Sequence, residues 1–389
     1  MLPRPPPPRL AKAATPPNPV AVTDLNDVRG RVRTWLMEQA LPLWAERGAD
    51  ADGRFYELLD FDARPVLGGA RRTRVQARQI YVFCEGADLG WTDGLPVARR
   101  GLDGLIVGSL RDDGLWVLST DDAGRVVDET ADLYDQAFVL FALAAAHRVL
   151  GDARALPLAR RTVQAIHQRM AADHGGWAEA LPHRLPRRQN PHMHLLEAML
   201  AWQVAAPEDL FADTAKEVLR LFERHFFDPA HGVLGEFFEP DWAVAPGEPG
   251  RIVEPGHHFE WVWLLAQAKK NGWIDASEAS AALYRTAMER GLNTDGFAVR
   301  EIGRDGGIID GGWRLWAGTE ALRAHLTVGD EARAVAMAEA VFDRHLATDV
   351  PGLWMDSYHA DGRPADAVVP ASTLYHLMTP FTELLRGAS

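Results

Sequence analysis

The sequence predicts an all-α (α/α)6 barrel, six helical hairpins with short β-hairpin loops over a central pocket. Three observations carry that expectation. Glycine-led segments with aromatic and turn residues recur at Gly53, Gly114, Gly175, Gly232, Gly296 and Gly352. Each is followed by a helix with a polar or aromatic head and an apolar body. The heads, taken at Arg78, Tyr134, His194, His257, Trp316 and His376, lie 56, 60, 63, 59 and 60 residues apart. A step of about sixty residues accommodates two helices and two loops.

The elements follow in chain order. Residues 1–23, MLPRPPPPRLAKAATPPNPVAVT, carry a proline run where a secretory signal needs an apolar core, and read as a disordered tail. Residues 24–389 then form a single barrel domain. The inner helices are QARQIYVFCEGA, YDQAFVLFALAAAH, HMHLLEAMLAWQ, HHFEWVWLLAQA, RLWAGTEALRAHL and STLYHLMTPFTELL. Between them, stretches such as LARRTVQAIHQRMAAD and EDLFADTAKEVLRLFERHFF have one apolar stripe and one charged face, as an outer layer requires. Closing six such hairpins into a double ring brings all the polar heads to one end, around one pocket.

Composition narrows the function. A formal net charge of −13 argues against a nucleic-acid partner, because neutralising phosphates takes an excess of clustered cations. No uninterrupted apolar run approaches the roughly 20 residues of a membrane span. The single cysteine, Cys84, excludes an internal disulfide framework and fits a reducing, cytoplasmic setting, with the thiol itself a buried structural group.

The heads carry the chemistry. In PGHHFEWVWLL, His257 and Glu260 share a helix face, as do His194 and Glu197 in NPHMHLLEAMLA, where Asn190 opens the same motif. Trp316 is followed one turn later by Glu320, Arg78 enters from the first repeat and His376 from the last. His258 competes with His257 for the inward position. Tyr134, Gln136 and Trp263 are either substrate contacts or helix packing. Aromatic faces stack on sugar C–H surfaces, while carboxylates and arginine bind hydroxyls. Imidazoles titrate near neutrality and can move a proton α to a carbonyl. The set therefore points to proton transfer on an open-chain sugar.

Together QARQIYVF, NPHMHLLEAMLA, PGHHFEWVWLL, LWAGTEAL and TLYHL resemble the N-acylglucosamine 2-epimerase superfamily, in order and across about residues 30–385. The wording of RRTRVQARQIYVF and YDQAFVLFALA resembles its mannose-isomerase branch most. The resemblance implies a metal-free enzyme without cofactor that interconverts D-mannose, or a relative such as mannose 6-phosphate, and a fructose-type ketose through a cis-enediol. It implies that His376 removes the C2 proton, that His257 is its partner acid or base, and that Arg78 stabilises the enediolate. His194 is the matching histidine of the third repeat, and Glu260 and Glu320 orient histidines or hold hydroxyls. A sugar 2-epimerase is the alternative outcome of the same pocket.

Other classes fit less well. A metal enzyme would use His194/Glu197 and His257/Glu260, but these run opposite to Glu-x-x-His and HExxH is absent. A glycoside hydrolase would need a carboxylate pair, for which Glu260 and Glu320 are the candidates. A sugar-binding scaffold has no use for His257, His376 and Arg78 together. No phosphate-cradling glycine motif is present. The runs RRTRVQAR and HRLPRRQ, with Arg71, Arg72, Arg74, Arg184, Arg187 and Arg188, are either an anion handle at the pocket mouth or ion-paired surface charge. The expected partner is a small-molecule sugar, and the expected assembly a monomer or homodimer.

Overall fold

The computed structural model describes residues 24–387, so the proline-rich segment expected as a tail lies outside the described residues. In chain order the long helices are α1 (Leu25–Thr34, prolonged through Trp35–Ala40 into Leu41–Arg47), α2 (Thr73–Asp88), α3 (Gly94–Ser109), α4 (Leu133–Ala145), α5 (Ala155–Ala165), α6 (Gln189–Ala205), α7 (Asp209–Leu221), α8 (Pro255–Lys270), α9 (Ser277–Arg290), α10 (Leu315–Val328), α11 (Glu331–Val341) and α12 (Leu374–Arg386). The even-numbered helices form the inner ring. Each touches the next, and α12 returns to α2. The structure is therefore the (α/α)6 barrel that the sixty-residue step predicts.

The two layers differ in burial as their sequences require. α6 and α8 bury residues on every face, consistent with helices packed on all sides. α7 buries one stripe, Phe211, Thr214, Ala215, Val218 and Leu219, and leaves its charged face outside. Asp24 starts α1 with a reciprocal capping box to Asp27, and Asp132 accepts from the Tyr134 amide at the start of α4. The apolar stretch Leu133–Leu150 has the length and composition of a membrane span, yet 78% of it is buried inside the fold.

The loops from outer to inner helices are the long ones, and they carry the short strands. Hairpins form within a repeat, as in Val299–Gly303 with Ile308–Arg314. Other strands pair between repeats instead: Ala131–Asp132 with Ala180–Leu181, Arg187–Arg188 with Phe237–Phe238, and Leu58–Leu59 with Val369–Pro370, which ties the first repeat to the last. This cross-pairing ties the loops of adjoining repeats to one another.

Ring closure is also visible in packing. Trp44 of α1 stacks on Trp354 of the last repeat at 4.9 Å between centroids and donates its indole N–H to the Gly352 carbonyl at 3.1 Å. Such a ring pair is worth about 0.5–1.5 kcal/mol beyond its buried area. Gly352 has φ +93°, and a Cβ there would sit 2.8 Å from the Gln39 carbonyl carbon, so the position requires glycine twice over. Cys84 is fully buried and its thiol pKa is pushed up by that burial, as a structural thiol requires.

Candidate active site

α8 opens with Pro255 at its first turn, which sets His257 at the mouth end of the inner ring. His257 Nδ1 lies 3.0 and 3.1 Å from the two carboxylate oxygens of Glu236, and Nε2 lies 3.2 Å from the Asn190 amide. Glu254 adds a second carboxylate at 3.9 Å. Burial pulls the His257 pKa down, but Glu236 and Glu254 outweigh it and the value is raised to about 10. The raised pKa favours the imidazolium, whose Nδ1–H donates to Glu236, and the Asn190 amide nitrogen is the atom that faces Nε2. His258 points the other way, accepting the Leu234 backbone N–H at 3.0 Å. Of the two neighbours, His257 is the one in the site.

His376 has the opposite character. Its Nδ1 lies 3.0 Å from Glu320 Oε1. Burial first, then the positive charge of Arg78, hold its pKa well below 6.5. The neutral ring donates Nδ1–H to Glu320, which leaves the Nε2 lone pair as a base. Burial lifts Glu320 to about 7, against the pull of Arg323. The Trp316 ring lies 5.2 Å from His257 and 5.6 Å from His376, so one indole touches both. Two imidazoles whose surroundings push their protonation apart can serve as an acid and a base in one site.

The remaining wall joins the third, first and last repeats. His194 Nδ1 bonds Glu197 Oε2 at 3.1 Å, lies 3.8 Å from Glu260, and packs its ring against Tyr134 and Phe138. Burial lowers its pKa to about 4. Arg78 donates to the Tyr134 hydroxyl at 2.7 Å and to the Ser372 carbonyl at 3.2 Å, with its guanidinium over the Phe138 ring. Glu260 is 1% exposed and neither carboxyl oxygen has a protein partner. Burial, then Glu320 and Glu197, raise its pKa well above the usual range. Asn190 Oδ1, Glu320 Oε2 and Arg78 Nε are likewise buried without a partner. Buried polar atoms are almost always satisfied, so this concentration of open donors and acceptors marks the place for a polar ligand.

Three triads, His194/Glu197/Glu260, Glu236/Glu254/His257 and Glu260/Glu320/His376, hold ligand-type atoms within 4.8 Å of one another. In each, the imidazole Nδ1 already bonds a carboxylate of the same triad.

The structure gathers Arg78, Tyr134, Asn190, His194, His257, Glu260, Trp316, Glu320 and His376 into this one cluster. Two expected substrate contacts lie elsewhere. Gln136 is fully buried and clamps the Trp116 backbone, accepting from its N–H at 2.9 Å and donating to its C=O at 3.0 Å. Two residues along a helix from Tyr134 turns it about 200° away from the pocket face. Trp263 donates to Glu383 at 3.2 Å and stacks under the Arg323 guanidinium at the far mouth of the barrel. Six residues beyond His257 put it about 9 Å deeper along the helix. The arginine runs are also committed. Arg71 pairs with Asp50 and Asp122, Arg72 with Glu57, Arg74 with Asp135, Arg184 with Asp132 and Arg188 with Glu179. Arg187 lies over Trp242 and donates to backbone carbonyls.

Sequence reading did not single out Glu236, Tyr375 or Arg323. Tyr375 donates its hydroxyl to Glu197, and Arg323 lies 3.4 Å from Glu197 and 3.7 Å from Glu320. Glu236 had a signal: it is the one charge inside the apolar segment GVLGEFF.

Residues 53–380 match the family described as N-acylglucosamine 2-epimerase (GlcNAc 2-epimerase). The chain is 36% identical to the mannose-6-phosphate isomerase of Rhizobium meliloti (strain 1021), over 93% of this chain and 97% of the relative. It is 29% identical to the D-mannose isomerase of Thermobifida fusca, over 89% and 90% of the two chains. The cellobiose 2-epimerase of Bacillus thermoamylovorans B4167 superposes with a TM-score of 0.83 at 20% identity, covering 93% of this chain and all (100%) of the other, which shows the shared barrel. The chain belongs to the N-acylglucosamine 2-epimerase family.

Proposed function

We propose that this isomerase/epimerase of carbohydrates converts D-mannose, free or as its 6-phosphate, into the corresponding fructose-type ketose. The observation that carries the reading is the placement of His257, bonded to Glu236, and His376, bonded to Glu320, against one Trp316 ring, in surroundings that raise the first pKa and lower the second. With an open-chain aldose between them, His376 Nε2 takes the C2 proton and the C–H electron pair becomes the C1=C2 bond. The carbonyl π pair moves onto O1, which receives a proton from the His257 imidazolium. The neutral His257 then takes the O2–H proton as the C2 carbonyl forms, and His376 delivers its proton to C1. One proton has moved from C2 to C1 and one from O2 to O1, and both histidines end as they began. Arg78, beside the site, favours the enediolate oxygens. Glu260, with neither oxygen hydrogen-bonded to the protein, is placed to meet the sugar hydroxyls.

The name of the 36% relative favours the phosphate ester, and the pairing of the mouth arginines favours the free sugar. NMR of the chelator-treated enzyme in D₂O, with mannose, mannose 6-phosphate, N-acetylmannosamine and cellobiose in turn, separates these. Ketose deuterated at C1 supports the isomerase and names the substrate. Aldose deuterated at C2 makes it a 2-epimerase, and no exchange with any of the four removes the proposal.

A further inference from the structure

The barrel has a second mouth. The C-terminal halves of the inner helices enclose a cavity of about 270 Å³, whose lining includes Tyr81, Phe141, Trp263, Gln267, Asn271 and Thr382. That is just under the range of about 300–1,000 Å³ that holds drug-sized ligands, and so is the size of a monosaccharide.

Its polarity is unusual in two respects. Thr379 and Thr382, one turn apart on α12, are 2% and 5% exposed, and neither hydroxyl has a hydrogen-bond partner. Helical threonines normally return that hydroxyl to the preceding turn, as Thr327 does to the Arg323 carbonyl at 2.8 Å. Here both line the cavity instead. Arg323 Nε, on the same lining, is a third unpartnered buried donor.

The charges, by contrast, cancel. Arg148 and Arg386 both pair with Glu85 and Asp88, and Arg323 pairs with Glu197 and Glu320. The guanidinium charges of the lining are thus all balanced by carboxylates, and an anion has no free cation to meet. What stays open is the two threonine hydroxyls and the Arg323 Nε–H, beside the aromatic rings of Tyr81, Phe141 and Trp263. That pairing of open hydrogen-bonding groups with ring faces suits a neutral polyol, whose hydroxyls need partners and whose C–H faces need apolar surface.

We infer that the far mouth of the barrel is a second binding site, for a neutral hexose or hexitol, separate from the catalytic mouth and divided from it by Glu197 and Arg323. The inference rests on the lining of this cavity and not on which sugar the first site turns over.

The test is calorimetric titration of the full chain to saturation with D-mannitol, which has no carbonyl to react. Two molecules bound per chain are expected. Ala201→Trp, which places an indole into the cavity from its rim, is expected to remove one of them. Thr382→Val is expected to weaken the same one by about 2- to 10-fold, as loss of one hydrogen bond does. Both variants keep mannose turnover, since neither residue belongs to the catalytic cluster. No mannitol bound to the wild-type chain overturns the inference, and so does mannitol binding, at one site or two, that neither variant changes. An enzyme that fails to isomerise any sugar yet binds mannitol at the Ala201-sensitive site would refute the proposed reaction and leave this site standing.

Discussion

Replacing Glu236 by Gln tests what keeps His257 protonated. Glu236 presents both oxygens to His257 Nδ1, at 3.0 and 3.1 Å, and is itself 3% exposed. The amide keeps an acceptor for Nδ1–H and for Gln189, whose Nε2 donates to Glu236 Oε2 at 3.0 Å, so the fold is retained. The charge is lost, and Glu254 at 3.9 Å remains. A contacting opposite charge moves a pKa by about 1–3 units, or about 1.4–4 kcal/mol of proton affinity. The sign follows from the role. With His257 as the acid of the proposed reaction, activity holds below its pKa and falls as pH rises through it, in the wild type near 10. In Glu236→Gln the alkaline limb of log kcat/KM against pH is expected to move down by about 1–3 units, while the acid limb, set by His376, stays in place. Glu236→Asp is expected to restore part of the shift. A folded Glu236→Gln enzyme with an unmoved alkaline limb would refute the assignment of His257 as the acid.

The other expectations concern role and stability. His376→Ala and His257→Ala should each lose about 10²–10⁴-fold in kcat, the usual worth of a general acid or base, with circular dichroism unchanged. The wild-type acid limb should lie below pH 6.5, because His376 must be neutral to act and its pKa is depressed by burial and by Arg78. His258→Ala and Gln136→Ala should each cost about 1–3 kcal/mol in denaturant titrations, by stranding the buried groups of Leu234 and Trp116, with kcat/KM close to wild type. Gly352→Ala should cost more than about 1 kcal/mol, measured in the same way.

The ring of helices was legible because each repeat says the same thing: a turn glycine at positive φ, then a polar head, then an apolar body. Gly53, Gly114, Gly175, Gly232, Gly296 and Gly352 all have positive φ. The helix-borne residues of the site followed from that register, since the heads of parallel inner helices must meet. What depended on orientation within a helix was harder. Gln136 and Trp263 stand on inner helices near predicted heads, but helical geometry turns one away and lowers the other towards the far mouth. Partners from loops were harder still. Glu236 comes to His257 from 21 residues earlier, on a loop whose path depends on a two-residue strand pairing with the neighbouring repeat. Periodicity says nothing about such a crossing. Likewise Tyr375 reads as packing beside His376, and its bond to Glu197, 178 residues away in sequence, exists only once the ring has closed.

The most direct test of the central claim follows one proton. D-mannose deuterated at C2 is incubated with the enzyme in ordinary water, and rate and product are read by NMR and mass spectrometry. If His376 carries that proton, turnover shows a primary isotope effect, the fructose formed retains part of the deuterium at C1, and His376→Gln abolishes both. Fructose formed at the same rate from labelled and unlabelled mannose, or formed undiminished by His376→Gln, would contradict it.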